Sequence, residues 1–194
     1  PTSLDRLFQN RELLASRYHD EPAVLYDLFN EPHDCLPDDP YPLVREDGAL
    51  YPMTHRRVTM AEWQPWALRL IDVIRLANRD AVVFVSGINW GYDLRGMPLN
   101  RANLVYSTHV YNNKDVNWED AFGNLATRVP VFAAEWGGQE EDQEWGRSLA
   151  DYFDQLGMGW TAWSWSNEPF LAAGYVPTQF GEVVRARLAG ADML

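Results

Sequence analysis

The chain has 194 residues, 46% of them hydrophobic and 23% charged, which is enough to bury one substantial core and predicts a single globular domain. Its 16 Lys and Arg against 28 Asp and Glu give a net charge of −12, which argues against nucleic acid or an acidic membrane as a partner. Cys35 is the only cysteine, so an intrachain disulfide is excluded, and we interpret it as a bystander thiol.

No stretch approaches the roughly 20 apolar residues that a membrane-spanning helix needs. No charged and apolar leader precedes Pro1, and the absence of an initiator Met suggests a processed or excised start. The nine Trp, nine Tyr and eight Phe are the most unusual feature of the composition. Aromatic rings stack on sugar rings, but they also fill cores, so the Trp residues that follow strand ends are the candidates for binding.

The spacing of apolar residues predicts alternating helices and strands, and Thr59 with Glu62 forms a capping-box pattern ahead of the second helix. Residues 34–52 are rich in Pro, Asp and Gly and predict a long loop. The elements are, in chain order, helix 4–18, strand 23–29, helix 59–77, strands 81–86 and 104–108, helix 118–126, strand 131–134, helix 145–156, strand 160–165 and helix 180–188.

This alternation predicts an α/β fold in which about five strands run parallel. Parallel strands collect their carboxyl ends at one edge, where ligands bind and chemistry occurs. Polar or aromatic residues stand at all five predicted strand ends. They are Asn30 and Glu31, Gly87 and Trp90, His109 and Tyr111, Glu135 and Trp136, and Trp163 and Trp165.

Glu31 and Glu135 are the two acidic residues among these ends, and a pair of carboxylates facing one pocket can cleave a glycosidic bond. One carboxyl would stay protonated as the acid while the other stays ionised. Each segment alone is equally consistent with an ordinary turn. Since His109 and Tyr111 are two residues apart, they would point the same way and could donate to a carboxylate or a substrate hydroxyl.

Other kinds of site have little support in the sequence. The four histidines show no paired spacing of metal ligands, and His33 with Asp34 and Cys35 would make only a weak site. There is neither a phosphate-binding Gly-rich loop nor a Gly-x-Ser-x-Gly motif.

Four segments in this order resemble the clan A retaining glycoside hydrolases, most closely family 5 of the cellulase and mannanase type. Leu28-Phe29-Asn30-Glu31-Pro32 is similar to the family's strand four, and Ser107-Thr108-His109-Val110-Tyr111 to strand six. Ala134-Glu135-Trp136-Gly137 is similar to strand seven, and Ala162-Trp163-Ser164-Trp165 to strand eight. The resemblance implies a partial TIM (β/α)8 barrel and no cofactor.

The resemblance also implies roles for the residues of these segments. Glu31 would be the acid/base, Glu135 the nucleophile and Asn30 a contact to the sugar 2-hydroxyl. His109 and Tyr111 would be partners of the substrate or of the nucleophile. The remaining sugar contacts would be Trp163 as the platform next to the scissile bond, Trp90 farther away, and Trp136. The implied reaction is endo-hydrolysis of a β-glycan with retention, most simply β-1,4-glucan, with β-mannan as an alternative.

The similarity covers only the later part of the eight-stranded barrel, so residues 1–194 are interpreted as one truncated catalytic domain. The family's first three strands, with the Arg and His that they supply, have no counterpart in this sequence. Five parallel strands cannot close a small barrel, so we expect the chain to self-associate and cover its open edges. The alternative to an active endo-β-glycanase is a half-barrel that binds carbohydrate without cleaving it. A polymeric substrate would imply a secreted or periplasmic location.

Overall fold

The computed structural model describes residues 3–33, 57–114, 117–166 and 170–190. The predicted loop 34–52, including Asp34 and Cys35, lies outside the described residues, as does His55. The chain forms two compact units, residues 1–106 and 107–194. The assignment of residues 1–194 to one catalytic domain stays a prediction.

Five parallel strands in the order β1-β2-β3-β4-β5, with flanking helices, confirm the predicted α/β fold class, a partial TIM barrel. The strands are β1 (Tyr26–Asp27), β2 (Val83–Ser86), β3 (Leu104–Tyr111), β4 (Val131–Gly137) and β5 (Gly159–Ala162). β3 belongs to both units, because the boundary falls between Tyr106 and Ser107. Strands joined by helices pair in parallel because the crossover returns the chain to the same end of the sheet.

In the first unit, helix α2 (Met60–Ala77) packs against helix α1 (Ser3–Arg17). α2 begins at the predicted capping box, since Thr59 accepts from the Glu62 N–H while Glu62 accepts from the Thr59 N–H. Its apolar face is fully buried, and the indole of Trp63 donates to the Ser86 carbonyl at 2.9 Å. The buried residues of this face are Trp63, Ala67, Leu70, Ile71 and Ile74.

The second unit holds a π-helical turn (Glu119–Gly123), the short helix α3 (Asn124–Ala126), helix α4 (Gln143–Leu156) and helix α5 (Gln179–Leu188). α4 ends at Gly157, whose φ of 64° is the left-handed conformation that glycine adopts without strain. A 3₁₀ turn (Glu140–Asp142) precedes α4. The largest buried side chains of this unit are Phe122, Trp136, Leu149, Phe153 and Phe180.

Strand lengths differ from the predicted ones in both directions. β1 is reduced to two residues because it pairs on one side only, with Tyr26 opposite Val83 and Asp27 opposite Phe84. β3 and β4 each continue three residues past their predicted ends, so that His109 to Tyr111 and Glu135 to Gly137 are strand residues.

A short antiparallel hairpin, β6 (Ala172–Ala173) with β7 (Val176–Pro177), was not predicted. Its two turn residues, Gly174 and Tyr175, have φ of 56° and 65°. Positive φ at both positions is typical of a type I′ turn, which a tyrosine seldom signals in sequence. Among the described residues, no helix has both the length and the apolar character needed to cross a membrane.

Candidate active site

In the first unit, Glu31 lies just beyond β1 in an unusual backbone conformation. Its φ is 49°, in the left-handed region that residues other than glycine rarely occupy. Such a conformation costs about 1–3 kcal/mol and persists where the surroundings enforce it. Asn30 beside it is exposed, Glu31 is half-buried and Pro32 is buried.

Hydrogen bonds to carbonyl oxygens fix the backbone around Glu31. His33 Nδ1 lies 2.7 Å from the Glu31 carbonyl, and the Trp90 N–H donates to the Pro32 carbonyl at 3.3 Å. Arg11 of helix α1 donates from Nε and Nη2 to the Leu28 carbonyl at 3.1 and 2.7 Å. Burial lowers the pKa of the Arg11 guanidinium, and the nearby Asp27 carboxylate opposes that shift.

Trp90 sits in a tight loop that follows β2. Ile88 and Asp93 exchange backbone hydrogen bonds of 3.0 and 2.9 Å across this loop. Asn89 and Trp90 have φ of 56° and 57°, so two adjacent residues with side chains take the left-handed conformation. The Trp90 ring is half-buried, with the His33 ring 5.0 Å away.

In the second unit, the Glu135 side chain is held by residues of the neighbouring strand. The Tyr111 hydroxyl donates to Glu135 Oε2 at 2.8 Å, and His109 Nδ1 lies 3.6 Å from the same oxygen. The His109 side chain is 1% exposed and that of Glu135 is 20% exposed. His109 and Tyr111 face the same way because they are alternate residues of β3. Glu135 lies on the neighbouring strand β4, so the structure brings the three side chains together.

Trp163 and Trp165 follow β5 with exposed rings, whereas Trp136 is enclosed. The Trp163 and Trp165 side chains are 45% and 60% exposed, and the Trp163 N–H donates to the Trp136 carbonyl at 2.8 Å. Trp136 is fully buried, with the rings of Phe153, Trp160 and Phe180 within 6 Å. Contrary to the expectation from the sequence, Trp136 belongs to the core, because an enclosed indole has no face for a sugar ring.

Two residues near Glu31 were missed as parts of the site. The sequence indicates His33 only as a weak metal ligand beside Asp34 and Cys35, although its position directly after Pro32 was a usable signal. Arg11 gives no signal, because its partner is a main-chain carbonyl 17 residues away.

The protein-family model described as cellulase, glycosyl hydrolase family 5, matches residues 4–169 of the chain. The chain belongs to this family. A cellulase of Thermoanaerobacterium sp, CelDZ1, is 23% identical over 91% of the chain, and the chain spans 51% of the length of that relative. An endoglucanase of a Microbulbifer species, MaCel5A, is 25% identical over 86% of the chain, which spans 31% of it.

Solved structures of the same fold include the β-glucanase SdGluc5_26A of Saccharophagus degradans. It superimposes with a TM-score of 0.78 at 23% identity, and the match covers 98% of this chain and 61% of that one. A second structure of that β-glucanase holds cellotetraose. The chain thus spans about half or less of the length of these two curated relatives and 61% of this solved structure.

Proposed function

We propose that this family-5 chain is the part of a retaining endo-β-glycanase that carries both catalytic carboxylates, and that its substrate is β-1,4-glucan. The contact of Tyr111 with Glu135 at the carboxyl end of β4 is the observation that carries the proposal. A hydroxyl that donates to a carboxylate stabilises its ionised form, which is the form that a nucleophile needs.

In the proposed reaction, a Glu135 oxygen attacks the anomeric carbon while Glu31 gives its proton to the departing glycosidic oxygen. The carbon–oxygen bond to the leaving sugar breaks as the ester to Glu135 forms. Glu31 then takes a proton from water, and that water displaces Glu135 from the anomeric carbon. The β configuration is therefore restored in the product.

The other strand ends are assigned to the substrate. Asn30 is exposed beside Glu31 and would bind the sugar 2-hydroxyl through its amide. Trp163 would lie under the sugar next to the scissile bond, and the half-buried Trp90 would contact a more distant sugar. The preference for glucan over mannan rests on the names of the relatives and on the cellotetraose bound to the related β-glucanase.

The stereochemistry of the first product tests the mechanism. The full chain is incubated with cellopentaose, and proton NMR follows the anomeric signals before mutarotation. We expect the β anomer to appear first, and we expect Glu135→Gln to release none. Initial release of the α anomer would contradict the double displacement. Binding of cellopentaose without hydrolysis would favour the non-catalytic half-barrel, and cleavage of mannopentaose alone would favour the mannanase.

We also propose that the chain associates with a second copy of itself. β1 and β5 each have a single neighbour in the described sheet, and Leu25 beside β1 is 54% exposed. Unpaired edges and exposed apolar side chains favour association. Light scattering should give a mass of at least two chains at micromolar concentration. A folded monomer would overturn this proposal, while the catalytic proposal would stand.

The substrate class would also require a secreted or periplasmic location.

A further inference from the structure

His33 makes one hydrogen bond whose direction follows from its chemistry. Its Nδ1 lies 2.7 Å from the main-chain oxygen of Glu31. A carbonyl oxygen can only accept, so Nδ1 must carry the proton. The bond therefore selects the Nδ1–H form of the neutral imidazole. The bond spans only two residues, so it directly restrains the backbone at Glu31.

The same ring contacts the loop that carries Trp90. The centroids of His33 and Trp90 are 5.0 Å apart, with 30° between the ring planes. The Trp90 N–H reaches back to the Pro32 carbonyl at 3.3 Å, and the Val58 N–H donates to the His33 carbonyl at 2.5 Å. The segment that follows Glu31 is thus anchored from two directions.

Glu31 and Trp90, the two residues that His33 contacts, both have strained backbone conformations. Glu31 and Trp90 have φ of 49° and 57°, conformations that relax unless neighbouring groups hold them. His33 bonds to the main chain of Glu31 and packs on the side chain of Trp90. One imidazole thereby contacts both residues that have positive φ.

We propose that His33 is a positioning residue that holds the Glu31 carboxyl in its proton-donating orientation and couples it to the Trp90 loop. This role rests on the proposed function, because it assumes that Glu31 is the acid/base. His33 acts through the Glu31 peptide unit. Its loss should therefore weaken protonation of the leaving group more than attack by Glu135.

Leaving groups of different acidity separate these two effects. Cellotetraose needs its glycosidic oxygen protonated, whereas 2,4-dinitrophenolate leaves without an acid. For His33→Phe, which keeps a ring on Trp90 but removes the donor, we expect kcat/KM for cellotetraose to fall about five- to tenfold. The value for 2,4-dinitrophenyl β-cellobioside should change less than about twofold.

A conservative variant and a matched control complete the kinetic test. His33→Asn places an amide N–H near the position of Nδ1 and should recover most of the loss. His19→Phe is the control, because His19 Nδ1 also contacts a carbonyl, that of Ser16 at 2.9 Å, at the exposed end of helix α1. His19→Phe should leave kcat/KM unchanged for both substrates. Equal losses on both substrates for His33→Phe would overturn the positioning role.

The imidazole tautomer gives a readout that does not depend on turnover. Long-range proton–nitrogen correlation spectra of the full chain, at a pH where the imidazole is neutral, should show His33 protonated at Nδ1. Protonation at Nε2 alone would overturn the inference even in an inactive protein. Glu31→Gln serves as the reference, since a variant with equal losses on both substrates would instead refute the assignment of Glu31 as the acid.

Discussion

The two glutamates of the proposed site are held in different ways. The Glu135 side chain lies on β4, where the pairing with β5 shifts register between Ala133 and Trp136, and it receives a hydrogen bond directly from Tyr111. Glu31 lies beyond the end of a two-residue strand, where hydrogen bonds to the carbonyls of Leu28, Glu31 and Pro32 fix the main chain. The hydrogen bond at Glu135 therefore reaches the carboxylate itself, whereas those around Glu31 restrain its backbone conformation.

This difference matches the two tasks that we propose for the residues. A nucleophile must stay ionised, and a donor on its oxygen favours that state. An acid/base must give and accept a proton within one catalytic cycle, so it needs a suitable orientation in both charge states. The fixed main chain at Glu31 contributes to that orientation.

The largest expected effect is the loss of either carboxylate. Glu135→Gln should lower kcat/KM on the order of 10³-fold or more for every β-glucoside, because no ester can form. Glu31→Gln should lower it about 10²- to 10⁴-fold for cellotetraose and far less for 2,4-dinitrophenyl β-cellobioside. Glu12→Gln, an exposed position on helix α1, is the control. If both variants lost kcat/KM equally on the two substrates, the different roles proposed for Glu135 and Glu31 would be contradicted.

Removal of the Tyr111 hydroxyl should weaken catalysis without loss of the fold. A hydrogen bond to a charged group contributes about 1.5–3 kcal/mol, so Tyr111→Phe should lower kcat/KM about 10- to 100-fold. The urea midpoint should stay close to that of the parent. Tyr18→Phe, on an exposed tyrosine, should change neither quantity. A variant with full activity would show that Glu135 does not depend on this donor.

Two glycines test how tightly the backbone is packed just after β2 and at the end of β4. A Cβ on Gly137 would lie 2.5 Å from the Trp163 carbonyl oxygen, and a Cβ on Gly87 would lie 2.6 Å from that of Asp93. Alanine at either position should therefore cost about 1–3 kcal/mol in the free energy of unfolding, measured with urea. A Cβ on Gly190 would meet no atom within 4 Å, so Gly190→Ala is the variant without a steric clash, and it measures only the cost of a side chain at positive φ. Two neutral substitutions at Gly87 and Gly137 would contradict this packing.

A second tyrosine of β3 provides the smallest effect. The Tyr106 hydroxyl accepts from the Leu99 N–H at 2.8 Å, so it supports a main-chain group where Tyr111 supports a carboxylate. Tyr106→Phe leaves a buried N–H without its acceptor and should cost about 1–2 kcal/mol of stability. Activity of the folded fraction should be retained. A selective loss of kcat would place Tyr106 with Tyr111 and contradict the contrast.

The same tyrosine predicts a pH dependence. Burial raises the pKa of Tyr106, and the Leu99 hydrogen bond opposes that shift. Because the folded state keeps this proton more tightly than the unfolded state, the stabilisation is complete below about pH 10 and is lost as the pH rises further. Urea midpoints measured between pH 8 and about 11 should fall more steeply for the parent than for Tyr106→Phe. Parallel curves would contradict the raised pKa.

The sequence predicted the regular part of the fold because periodic burial and local caps determine it. The capping box at Thr59 and Glu62 gave the start of α2, and the apolar run from Val131 gave β4. The pairing of His109 with Tyr111 on one face was also predictable, since it needs only the two-residue repeat of a strand.

The conformations at Glu31, Asn89 and Trp90 could not be predicted from local sequence. Glutamate and tryptophan seldom occupy the left-handed region, and tertiary contacts override that preference here; asparagine occupies it more often, but not often enough to predict the turn at Asn89. The burial of Trp136 depends on rings from α4, β5 and α5 that are up to 44 residues away. A motif alone could not reveal that Trp163 presents its ring and Trp136 does not.

The unequal exposure of the indoles gives the chain an intrinsic optical reporter. Trp63 and Trp136 are 2% and 0% exposed and should emit at short wavelength whatever the ligand. Trp163 and Trp165 are 45% and 60% exposed, so they should supply the red side of the emission spectrum. A sugar stacked on Trp163 would exclude water from one face of the indole and shift that component to the blue. Fluorescence titration could therefore detect occupancy of this edge without a label and without turnover.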